Sequence, residues 1–144
     1  MLSAASVLVC ALGVLGRSEE SMPPIELIAT APPGVSARAE AFVRRHTGTI
    51  YLITSSPAFL DAAASRSCDY SDAVRKLASI LAHEEWHVRH GDDERGAYEA
   101  QLFTLIRLGT APGSRMYEGV QRSMQAVLKA REQSRPAALM ASSR

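Results

Sequence analysis

Residues 77–108 read LASILAHEEWHVRHGDDERGAYEAQLFTLIRL, two helical runs broken at Gly91-Asp92-Asp93. The first run begins near Ser71. Val74, Leu77, Leu81 and Val88 recur on one side at helical spacing, so a helix to His90 turns that stripe toward a core and stops at Gly91. Asp92 or Asp93 can cap the second run, which continues to about Leu108 and is closed by Gly109. Inside the first helix, His83-Glu84-Glu85-Trp86-His87 is an HExxH motif. Residues four apart on a helix are neighbours, so both imidazoles project to one side and can chelate one tetrahedral zinc ion. Glu84 lies about 100° round the axis from His83. That places it beside a metal rather than on it, where a base for a metal-bound water belongs.

A catalytic zinc needs a third protein ligand and an open fourth position. His90, Asp92, Asp93, Glu94 and Glu99 are within reach in sequence. His90 is nearly two turns from His83 and suits the negative end of the helix dipole better than the metal. Helical phase and height separate the acids. Glu99, Leu102, Phe103 and Ile106 stand at i, i+3, i+4 and i+7, which puts Glu99 on an apolar stripe where a carboxylate needs a cation. Glu94 lies near Gln101, on a different side. If the second helix turns back antiparallel, Glu99 is about 10 Å from the turn and the midpoint of the two histidines about 9 Å. Glu99 is therefore the expected third ligand, with Glu94 in reserve. A salt bridge from Glu99 to Arg95 or Arg107 is the alternative use of that side chain.

A helix bearing HExxH, followed by a glutamate on the next helix, resembles the gluzincin branch of the zincin metallopeptidases. The likeness covers residues 77–108, under a quarter of the 144-residue chain. It implies a mainly α (α+β) fold: a compact zincin-like helical core with a short strand or small sheet beside the active-site helix. It also implies one catalytic zinc ion (Zn2+) held by His83, His87 and Glu99, with Glu84 activating water against a peptide carbonyl. The chain departs from the pattern in two places. Only eleven residues separate His87 from Glu99, and Phe103 stands where an acid often follows the glutamate ligand. The expected activity is zinc-dependent hydrolysis of peptide or protein substrates. The alternative is a zinc-binding zincin-like domain that has lost catalysis and acts as a binding module. An oxyanion donor besides the metal is open among Tyr51, His90, Tyr98 and Tyr117, none with supporting spacing. Trp86, opposite the apolar stripe, reads as a packing residue, and Arg75, Lys76 and Arg89 read as solvated charges.

Working outward, Thr49–Ile53 is β-branched and apolar, the best strand in the sequence. It serves either as the edge along which a zincin substrate pairs or as a core strand. Residues 37–46 read as a short helix with Gly48 as its stop, and 58–64 as another. After Pro112-Gly113 a third long helix carries Tyr117, Val120, Met124, Val127 and Leu128 at amphipathic spacing. Pro23-Pro24 and Pro32-Pro33-Gly34 mark residues 22–35 as an extended or irregular linker. The domain proper is then 36–132, with a disordered tail over 133–144.

The first sixteen residues form an uncharged apolar run, too short for an ordinary membrane span and suited to a secretory leader over 1–21, though no Lys or Arg precedes it. A leader implies export to the extracytoplasmic space; translation from Met22 implies the cytoplasm. Cys10 and Cys68 form no CxxC pair, which excludes thiolate zinc clusters, and a bridge between them requires that Cys10 be kept. With 16 basic and 15 acidic residues the formal charge is +1, so nucleic acid is not an expected partner.

Overall fold

The computed structural model describes residues 1–69 and 71–134. Among these, the order is α1 (Ala4–Leu15), β1 (Ile25–Ile28), β2 (Ala41–Arg44), β3 (Thr49–Ile53), α2 (Pro57–Ala63), α3 (Asp72–His90), α4 (Glu94–Arg107) and α5 (Arg115–Gln133), with a 3-10 turn at Glu19–Ser21. The architecture is mainly α with a small sheet, as the sequence implies. Each helix starts at a side chain that accepts one of its orphan N–H groups: Ser3, Ser56, Ser71, Asp93 and Ser114.

The three strands are ordered β1-β3-β2, with β1 parallel and β2 antiparallel to β3. Strand alternation sends Ile25 and Leu27, Ala41 and Val43, and Ile50 and Leu52 to one face, where they meet the main core. On the other face Phe42 stacks on Tyr51 across the strands at 4.9 Å, under the Arg44 guanidinium. Helix α3 is the hub: it packs against α1, α2, α4, β2 and β3. Val74, Leu77 and Leu81 of the expected stripe are buried and Val88 is half-buried. A second, smaller cluster joins α4 to α5 through Leu102, Leu105 and Val120.

Local structure differs from the sequence reading in several places. Residues 37–46 are not a helix: 41–44 form β2, because pairing with β3 and the Phe42–Tyr51 stack override the local helix propensity of an Ala- and Arg-rich run. Gly48, at φ +65°, closes the hairpin instead of a helix. The stretch read as a linker contributes β1. The apolar run read as a leader is built into the core as α1, with Val7, Leu8, Ala11 and Leu12 buried against α3. Cys10 on α1 is bridged to Cys68, ahead of α3. Of the tail read as disordered, Gln133 ends α5 and residues 135–144 lie outside those described. Among the described residues no helix is long and apolar enough to cross a membrane.

Candidate metal centre

Helices α3 and α4 form a hairpin whose turn is a single glycine followed by two aspartates. Gly91 sits at φ +102°, ψ −154°, a conformation closed to other residues, and Asp93 caps α4. Opposite positions then pair in descending order: Glu94 reaches His87, Gly96 meets Trp86, Tyr98 meets His83, and Gln101 meets His83 and Ser79. Glu94, Tyr98, Gln101 and Leu105 stand at i, i+4, i+7 and i+11, so a single face of α4 carries these contacts. Gly96 is what allows the approach. A Cβ there would lie 2.2 Å from the Trp86 ring.

His83, His87 and Glu94 converge, with their ligand atoms within 4.8 Å of one another, and could hold a metal ion. The Nδ1 atom of His83 bonds Gln101 Oε1 at 2.9 Å, and that of His87 bonds the Gly91 carbonyl at 2.7 Å. Each carbonyl takes an N–H, so Nε2 is the nitrogen each ring turns to Glu94: it donates to the carboxylate when the ring is charged and holds the lone pair when the ring is neutral. The Glu94 carboxylate is in contact with His87 Nε2 and lies 3.7 Å from His83 Nε2.

The acid that converges with the two histidines is thus Glu94, not the expected Glu99. Glu99 is exposed; of the apolar residues on its stripe, Phe103 is 61% and Ile106 46% exposed, while Leu102 is buried against α5. The buried residues of α4 are Ala97, Gln101, Leu102, Thr104 and Leu105, too polar and too widely spread round the helix to stand out as a hydrophobic stripe. The meeting point with α4 lies level with His87 rather than midway between the histidines.

Electrostatics tie the three groups together. Burial opposes the charge on Glu94, but its bonds to His83 and His87 outweigh that and hold its carboxyl well below the usual range. Burial likewise draws His87 down, yet the bonds to Glu94 and the Gly91 carbonyl prevail and the net shift is upward. Glu84 stands beside the trio, 8% exposed; burial pushes its carboxyl up, past the lowering pull of the two histidines. Burial and the carboxylates of Glu94, Glu84 and Glu40 push the Tyr98 hydroxyl up to about 12, so it stays a phenol. Its ring lies edge-on to His83 at 4.5 Å. Of the four side chains left open as oxyanion donors, Tyr98 alone contacts the trio: Tyr51 stacks on Phe42, Tyr117 packs in the α4–α5 cluster and His90 lies on Trp86.

Glu85, the second acid of the motif, has a different use. It is clamped by Arg17, just past α1, and by Arg89 at 2.9 Å, so Arg89 is not a free solvated charge. Lys76 likewise stands 3.6 Å from Glu40.

Two hollows meet at the site. A cleft of about 1010 Å³ runs between the approach to β2, α3, α4 and α5, and one of about 340 Å³ lies on the β2–Arg131 side; His83, Glu84, Glu94 and Ala41 line both. The strand beside the site is β2, not Thr49–Ile53, which is the central strand. The Glu40 carbonyl accepts from Ile53 N at 3.0 Å, so by antiparallel alternation Ala41 and Val43 turn their backbone groups to the free edge. No protein-family model, curated protein or solved structure matches the chain.

Proposed function

We propose that the protein is a small zinc-dependent peptidase of gluzincin type, with His83, His87 and Glu94 as ligands and Glu84 as general base. The observation that carries this reading is the convergence of two Nε2 atoms and one carboxylate, with a second, buried acid at the junction of two clefts. Two imidazoles and one carboxylate are a donor set that suits zinc and leaves a position open. Zinc in such a site polarises a carbonyl and makes water acidic enough to attack at neutral pH. Glu84 takes the proton from the attacking water and passes it to the leaving amine, a task suited by a carboxyl whose proton affinity burial has raised. Ala41 and Val43 offer backbone groups to an extended peptide, as sheet edges do in strand addition. Hollows on both sides of Glu84 leave room for chain on either side of the scissile bond.

Metal analysis of the purified protein and a peptide-library assay of Glu84→Gln test this. The variant is expected to keep one zinc per chain and to lose at least about a hundredfold in rate. Zinc without activity in the parent protein would instead favour a binding module, and a parent without zinc would remove both readings.

A further inference from the structure

His83 is held by a relay that runs through α4 and back into the backbone of α3. Gln101 is 5% exposed, Ser79 fully buried and His83 8% exposed. The Ser79 hydroxyl donates to the Lys76 carbonyl at 2.6 Å. Its one proton is thereby spent, and it offers only lone pairs to Gln101. The amide end facing Ser79, at 3.3 Å, must be the NH2, and the end facing His83, at 2.9 Å, must be the carbonyl. A carbonyl there accepts, so in the neutral ring the proton of His83 sits on Nδ1 and the lone pair on Nε2, the atom turned toward Glu94. Every link has its direction set by the one before, and the first is a peptide carbonyl that cannot reverse.

We infer that Gln101, oriented by Ser79, is a positioning residue that locks His83 in its metal-binding tautomer. This rests on the zinc reading for its purpose, though the tautomer itself does not depend on a metal. Polar groups behind a ligating histidine fix its ring and tautomer, most often as a carboxylate. An amide does this without adding charge. Glu84 and Glu94 already supply two negative charges, equal to one divalent cation, so a third buried carboxylate would stand uncompensated.

The test uses the full chain, with ring-nitrogen NMR of His83 in metal-free protein and titration with zinc against a competing chelator. In the parent protein His83 should carry its proton on Nδ1. Gln101→Leu should shift the ring toward the Nε2–H form and weaken zinc binding by about 10–100-fold. Gln101→Glu keeps an acceptor and should restore the Nδ1–H form. Ser79→Ala frees the amide to flip and should mix the tautomers. An Nε2–H ring in the parent would overturn the proposal. So would unchanged tautomer and zinc affinity in folded Gln101→Leu. If that variant fails to fold, the parent spectrum and Ser79→Ala decide. A parent with the Nδ1–H ring but no zinc affinity would uphold the relay and sink the peptidase reading.

Discussion

Helices α3 and α4 are the two arms of one hairpin, and they are written in different ways. In α3 the buried side of Val74, Leu77 and Leu81 is apolar, and the motif residues His83, Glu84 and His87 stand beside it. In α4 the buried side itself carries the polar groups: Glu94 and Gln101 face the partner helix, while Phe103 and Ile106 point to solvent. A helix that supplies a motif can obey hydrophobic patterning. A helix that completes the motif gives up part of its inward face to ligand and support, and its apolar residues no longer report which side is in.

The largest expected break in this comparison comes from the acids. Glu94→Ala should abolish stoichiometric zinc binding, while Glu99→Ala, on the outer face, should leave it within about twofold, the small effect usual for a surface substitution. Elemental analysis after dialysis reads both. Comparable loss in the two variants would mean that α4 is rotated from the position described.

Next in size is the contact that sets the spacing of the arms. Gly96→Ala adds a methyl where the Trp86 ring lies, and should destabilise by about 1–3 kcal/mol despite the better helix propensity of alanine, about 1 kcal/mol. The same change in a Trp86→Leu background should be neutral or stabilising. Trp86 is the chain's one tryptophan, so its emission follows the unfolding of Gly96→Ala directly. In the Leu background, and for the non-additivity of the pair, far-UV circular dichroism serves.

A subtler test uses pH. In metal-free protein the depressed Glu94 contributes stability above its unfolded value of 4.5, lost as pH falls through the lower folded value. The raised His87 contributes stability below its unfolded value of 6.5, lost as pH rises through the higher folded value. The pair therefore helps most between about pH 4.5 and 6.5. Zinc binding needs neutral imidazoles and has the opposite trend. The rise in Tm on adding zinc should grow from pH 5.5 to 7.5 and vanish near pH 5 or below. A zinc-induced rise that stays constant over this range would argue against two histidine ligands.

Much of this was readable from the residues. The ends of α3 fall within one residue of the sequence reading, because Ser71 and Gly91 are strong local signals. Asp93 as a cap and Gly109 as a stop hold for the same reason. Glu99 stands out in the sequence through its apolar neighbours, but Glu99, Phe103 and Ile106 all face solvent. The spacing Glu94-Tyr98-Gln101-Leu105 held the other answer, but polar residues carry no periodic signal of burial. The role of β2 was hidden because an Ala- and Arg-rich run becomes a strand only when β3 lies beside it. For residues 4–15 composition does not choose: an apolar helix looks alike whether it is a leader or the inside of a small domain.

The Cys10–Cys68 bridge closes a loop of 58 residues that contains the whole sheet and α2. Closing so long a loop is worth about 2–4 kcal/mol, chiefly by restricting the unfolded chain. A chain built this way is suited to an oxidising milieu, where such bonds persist. Made where glutathione keeps thiols reduced, it would have to hold its first helix against the motif helix by packing and the Arg17–Glu85 pair alone. Recombinant material should gain thermal stability when refolded under air or a disulfide shuffling couple.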